Sequence, residues 1–143
     1  MKHAVIDASV AIKWFIPEAD SPTADALLAQ GFAFHAPDFL KLELGNAFWK
    51  NVLRGHIPAD AFHVVLPELE LSINHWHPTT ALLPEAFELA CELQHPIYDC
   101  IYLALAKRHA LPLVTADRKL ATKLKETAHG DRLVGLSQWQ TAL

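Results

Sequence analysis

A chain of 143 residues with 52% hydrophobic and 20% charged side chains can bury a core of its own and is too apolar to be a disordered segment, so a single domain over residues 1–143 is expected. The net charge of −4 disfavours a polyanionic partner on balance alone, and no apolar run approaches the roughly 18 residues of a membrane span. The first strand starts too early to leave room for a signal peptide, and Cys91 and Cys100 form no metal or redox motif; buried, reduced thiols of a cytoplasmic protein are expected.

In chain order, Ala4-Val5-Ile6 reads as a short strand buried on both faces, because both side-chain parities are apolar. Ser9 to Phe15 reads as a helix capped by Asp7 or Ser9. That puts Asp7 at the carboxyl end of the strand, the edge where open α/β sheets bind ligands. Pro17 to Pro22 marks a turn, Thr23 to Gln30 a short helix stopped at Gly31, and Phe32 to Ala36 a second strand. Pro37 opens a long helix to about Arg54, ended by Gly55, and Pro58 opens another to about Glu70. Leu71 to His77 alternates as a weak strand. Thr79 to Gln94 is helical, His95-Pro96 breaks it, and Tyr98 to Ala110 is apolar enough to be buried. Leu111 to Thr115 is a strand, Asp117 to Ala128 a helix, and Arg132 to Leu136 a last strand. Strands separated by helices predict a parallel α/β sheet covered on both faces.

Charge is unevenly spread along this chain. Residues 107–132 carry seven basic and three acidic side chains, whereas residues 1–106 carry five and 13. The basic end reads equally as a polyanion footprint or as a solvated helix face.

Four carboxylates break the patterns around them. Asp7 and Asp117 each follow an apolar strand; each could simply cap the next helix. Glu43 falls on the apolar stripe of Leu40, Leu44, Ala47 and Phe48, with no basic residue on that stripe. Asp99 heads the stripe of Tyr102 and Leu103, where it could also serve the helix dipole. A buried carboxylate is costly unless paired or bound to a cation, and hard dications such as Mg²⁺ and Mn²⁺ prefer carboxylate oxygens. His75 and His77, two apart on a strand, could share a metal, but the sequence supplies no further ligand beside them. Trp14, Trp49, Trp76 and Trp139 read as core or interface residues.

Val5-Ile6-Asp7-Ala8-Ser9, Glu43-Leu44-Gly45-Asn46-Ala47, Tyr98-Asp99-Cys100-Ile101-Tyr102-Leu103-Ala104 and Thr115-Ala116-Asp117-Arg118-Lys119-Leu120 together resemble the four motifs of PIN-domain ribonucleases, in order and over essentially the whole chain. Within that family the chain is most similar to the VapC-type toxins of prokaryotic toxin–antitoxin pairs. The resemblance implies a parallel five-stranded sheet in the order 3-2-1-4-5, flanked by helices. It implies an acidic quartet of Asp7, Glu43, Asp99 and Asp117. Asp7, Asp99 and Asp117 would be the ligands of Mg²⁺ or Mn²⁺, and Glu43 would act through a metal-bound water or as the base orienting it. Ser9, Asn46 and Thr115 would hold these carboxylates, and Arg118 and Lys119 would meet the RNA backbone. The implied activity is metal-dependent endoribonucleolytic hydrolysis of RNA phosphodiesters, and the implied partners are a small cognate antitoxin and a second copy of the chain. Gly45 stands where an alanine is expected, and no fifth acid of the kind some members of that family have follows Asp117, so the resemblance implies one fully ligated metal site rather than two.

Other classes fit less well. A haloacid-dehalogenase-type phosphotransferase needs a second acid two residues after the first, where this chain has Ser9. A dinucleotide binder needs a glycine-rich turn after the first strand, and none of the five glycines is near Asp7. A binding module of the same fold without turnover, or a housekeeping RNA-processing nuclease, remains as the alternative.

Overall fold

Ala4, Val5 and Ile6 are completely buried, as a strand apolar on both parities requires, and β1 (His3–Ile6) takes the centre of the sheet. The computed structural model describes all of residues 1–143. β2 (Ala33–Pro37), β3 (His75–His77), β4 (Leu113–Thr115) and β5 (Leu133–Gly135) complete a parallel sheet in the order β3-β2-β1-β4-β5, the order the resemblance implies. The chain reverses direction of travel across β1, so the loops after β1 and β4 part there and leave a crevice at the carboxyl edge.

The helices are α1 (Ala8–Ala11), α2 (Ser21–Leu28), α3 (Phe39–Leu53), α4 (Ala61–Ser72), α5 (Thr79–Leu93), α6 (Ile97–His109), α7 (Arg118–Lys125) and α8 (Trp139–Ala142). α6 is buried without a break from Cys100 to Ala106; it lies against β1, β2 and β4 and is itself covered by α5. On the opposite face Phe32 and Phe34 stack with their rings 6.0 Å apart, and Trp139 and Trp14 pack edge-on or tilted against them. Trp14 is half-buried and Trp139 buried; Trp49 is exposed. No helix is long and apolar enough to cross a membrane.

Several element boundaries differ from the sequence reading, each for a physical reason. Pro37 does not open α3; it ends β2, paired in register with His77. The start of α3 is set from a distance, because the Phe39 N–H donates to the Thr79 hydroxyl at 2.9 Å and Asp38 accepts from the same residue. Leu71 and Ser72 belong to α4, so β3 is only three residues long. The helix after Asp7 covers only Ala8–Ala11 before tightening into a 3₁₀ turn over Ile12–Trp14. α2 begins two residues early, with Pro22 in its first turn, and α7 stops at Lys125. Gly31 and Gly55 do end their segments, both at φ +74°. Both cysteines are free. Cys100 is buried, but Cys91 is exposed, two positions from the buried Leu89 on the outer side of α5.

Candidate active site

The four segments marked by their carboxylates converge on one pocket of about 240 Å³, lined by Asp7, Ala8, Ser9, Ile12, Glu43, Asp99, Tyr102 and Asp117. Asp7 leaves the end of β1 and caps α1. Its Oδ1 accepts from the Ser9 hydroxyl at 2.5 Å and from the Val10 N–H at 3.3 Å. Burial pushes its carboxyl up to about 6; the Ser9 and Thr115 hydroxyls pull the other way, and the charge of Asp99 adds to the rise. Glu43 projects from the middle of α3. Burial pushes it up to about 7, against the hydrogen bond that the Tyr102 hydroxyl donates to Oε1 at 2.6 Å, with Asp7 and Asp99 raising it further.

Asp99 lies in the first turn of α6, where the helix dipole favours an acid, and its Oδ2 is bonded to His95 Nε2 at 2.6 Å. Asp117 caps α7, its Oδ1 accepting from the N–H groups of Lys119 (3.0 Å) and Leu120 (3.1 Å). So Asp7 and Asp117 do cap helices, and they also line the pocket; the two readings of each residue are compatible. In all four carboxylates the hydrogen bonds fall on a single oxygen, leaving the second oxygen for a ligand.

Ser9 ties the two halves of the site together. Its Oγ accepts from the Ala116 N–H at 2.8 Å and stands 3.3 Å from the Thr115 hydroxyl, which accepts from the Asp117 N–H at 3.0 Å. The loop after β1 is thereby fixed to the loop after β4. Asn46 is exposed and bonds to none of the carboxylates; Tyr102 holds Glu43 instead. Tyr102 and His95 are site residues that the sequence reading did not single out. Tyr102 is three residues after Asp99 on α6, a spacing that brings side chains together on a helix, whereas His95 precedes the helix and reaches Asp99 from before the Pro96 cap. Arg118 and Lys119 are exposed in the first turn of α7, and neither forms an ion pair. Arg118 also lines a cleft of about 60 Å³ that shares Asp117 with the acidic pocket.

No basic side chain lines the pocket. Lys41, the nearest base to Glu43 in sequence, is paired with Glu70 at 3.4 Å and sits over the Trp76 ring. An all-carboxylate donor set with one oxygen of each group spare suits a hard dication that retains several waters.

The profile of the PIN domain family matches residues 4–125. Ribonuclease VapC3 of Pyrobaculum aerophilum is 33% identical over 121 residues, which are 83% of this chain and 92% of its own. Among solved structures, the crystal structure of PAE2754 from Pyrobaculum aerophilum superposes with a TM-score of 0.70 at 24% identity, covering 96% of this chain and 85% of that one. A toxin–antitoxin complex from Klebsiella pneumoniae gives 0.63 at 18% identity, covering 93% and 97%. At those identities the structural likeness bears on the fold alone. The matched span runs from β1 to the end of α7 and contains every carboxylate of the pocket: the chain belongs to the PIN domain family.

Proposed function

We propose that this protein is a Mg²⁺- or Mn²⁺-dependent endoribonuclease that hydrolyses RNA phosphodiester bonds and acts in the cytoplasm as the toxin of a VapBC-type toxin–antitoxin pair. The observation that carries the reading is the convergence of four carboxylates, from four separate segments, on one pocket lined by no lysine or arginine, in a chain similar to a protein named Ribonuclease VapC3. A small antitoxin as partner is supported by the fold shared with a toxin–antitoxin complex. α3 exposes Leu42, Trp49 and Leu53 and α4 exposes Val64 and Leu71, apolar side chains that an antitoxin or a second copy of the chain would cover.

In this reading Asp7, Asp99 and Asp117 would hold the dication, each having an oxygen free of hydrogen bonds. When bound, it offsets charge on the phosphoryl oxygens and lowers the pKa of water at the site. Glu43 accepts the proton of the attacking water: Tyr102 fixes its Oε1 and leaves Oε2 to the pocket, and burial raises its carboxyl above the ordinary range, which strengthens it as a proton acceptor. Ser9 and Thr115 hold Asp7 and Asp117 at a fixed separation, and His95 orients Asp99. Arg118 and Lys119 meet backbone phosphates, and a single-stranded or looped RNA reaches the pocket most easily.

Cleavage of RNA by the purified chain tests the proposal. Activity should require Mg²⁺ or Mn²⁺ and vanish in EDTA, and Asp99→Asn should lose at least about 100-fold. Undiminished cleavage by that variant removes the assignment. RNA binding without cleavage by the parent makes the protein a binding module, and robust cleavage with no effect of expression on growth makes it a housekeeping nuclease.

A further inference from the structure

The sheet face under α6 carries a second group of metal-ligand side chains, remote from the acidic pocket. His3 opens β1, His35 lies in β2 and His75 opens β3, and the register sets His35 directly beside His75. One ring nitrogen from each lies within 4.8 Å of the other two. His3 Nδ1 and His35 Nε2 are 2.9 Å apart, and His35 Nδ1 is bonded to His77 Nε2 at 3.0 Å. No carboxylate is bonded to any of these four residues; the histidine–carboxylate pairs of this fold are at His95 and His129.

We propose that His3, His35 and His75 form a site for a borderline transition-metal dication, Zn²⁺ or a close relative, with its fourth position open to solvent. Imidazole selects such ions over Mg²⁺, which prefers oxygen, so the two metal sites of the chain would not compete for the same ion. Three histidines with one open position are a sufficient zinc ligand set. Two nitrogens each about 2.0–2.1 Å from a tetrahedral ion stand about 3.3 Å apart, so His3 and His35 need to separate by only a few tenths of an ångström. The His75 ring now stacks on His35 with centroids 4.3 Å apart and has to swing out of that stack; it is exposed and free to do so. His35 is buried, and His77 fixes its Nδ1 so that Nε2 faces the site, the part that an outer partner plays for a metal-binding imidazole. The ion replaces the proton now shared between His3 Nδ1 and His35 Nε2, and His3, exposed, carries its own proton on Nε2 instead. Bound there, it would clamp β1, β2 and β3 together, which favours the folded chain.

Calorimetric titration of the EDTA-stripped Asp99→Asn chain with ZnCl₂ in millimolar Mg²⁺ isolates this site from the acidic pocket. One Zn²⁺ per chain should bind with micromolar or tighter affinity and raise the melting temperature by several degrees. His3→Gln and His75→Gln, both at exposed positions, should each weaken binding at least about tenfold in that background. The same substitutions in the parent should leave Mg²⁺-dependent RNA cleavage unchanged. Absence of saturable Zn²⁺ binding, or binding unchanged in the doubly substituted chain, overturns the proposal and makes the cluster a packed stack of neutral rings. Should a variant fail to fold, the imidazole nitrogen resonances of the Asp99→Asn chain decide. Zn²⁺ should move those of His3, His35 and His75, and movement confined to His95 or His129 overturns the site.

Discussion

Asp7 does two things that pull against each other: it caps α1, which favours a charged acceptor, and it forms the buried floor of the pocket, which disfavours charge. Its carboxyl titrates at about 6 in the folded chain against an ordinary 3.8. Between those values the folded chain holds a proton that the unfolded chain has released, so stability without metal falls as pH rises through that window and the full loss applies above about 6. Asn caps as well as Asp and carries no such penalty. In EDTA at pH 7.5, Asp7→Asn should therefore unfold with a free energy higher than the parent's by ~2 kcal/mol, an advantage that disappears near pH 4. His35, pushed down to about 4 by burial and by the surrounding imidazoles, bends both pH curves the other way and cancels in the difference, whereas Glu43, raised partly by the charge of Asp7, loses that part of its rise in the variant and adds to the same advantage. Saturating Mg²⁺ should stabilise the parent and leave the variant unmoved. Urea denaturation at both pH values measures this, and a pH-independent difference would show that the Asp7 carboxyl is not its source.

At the scale of elements, α3 and α4 meet where Gly45 leaves room for Phe62: a Cβ at position 45 would stand 3.3 Å from the Phe62 ring. The backbone there is ordinary helix, so nothing requires glycine except that approach. Phe62 is half-buried and its far ring edge can yield a few tenths of an ångström. Gly45→Ala gains up to ~1 kcal/mol of helix propensity and should be net stabilising by about 0.5 kcal/mol, with cleavage unchanged. A loss of more than that in chemical denaturation would mean that the ring is locked.

The same scale shows what the sequence makes legible. β1 and β4 are visible as buried runs, α5 and α6 by their apolar stripes, and the motif resemblance supplied the strand order. The pocket's acids were visible because each violates the pattern of its own segment. What was not visible depends on contacts between distant segments. Thr79 sets the start of α3, Tyr102 reaches Glu43 across 59 residues, and the register of β2 with β3 turns a two-histidine spacing into a cluster. Asn46 was placed by motif alone, and its side chain stays in solvent.

Over the whole molecule, the acidic pocket is bordered by the start of a basic helix, on a chain whose remaining charge is mostly negative. A polyanion is thus attracted to one small region and repelled from most of the rest, which orients its approach. Arg118 and Lys119 form no ion pair, so a phosphate beside them displaces their counterions, with Asp20 near Arg118 offsetting part of its charge. Replacing either by Ala should reduce the salt dependence of single-stranded RNA binding by about 0.7 in the log–log slope. Fluorescence anisotropy over a salt series reads this on the Asp99→Asn chain, which should bind without cutting, and an unchanged slope would return α7 to a merely solvated face.

The Ser9 link between the two loops also has a consequence in time. It joins residues 107 apart, and β1, synthesised before β4, waits for it before its second edge is paired. Until then Asp7 has neither Asp117 across from it nor the Ala116 N–H that locks Ser9. Non-local pairing of this kind forms late, so a nascent chain already carrying Asp7, Glu43 and Asp99 still lacks the assembled pocket. If the chain is a nuclease that harms its own cell, this topology keeps it harmless while it is still attached to the machinery and message that make it.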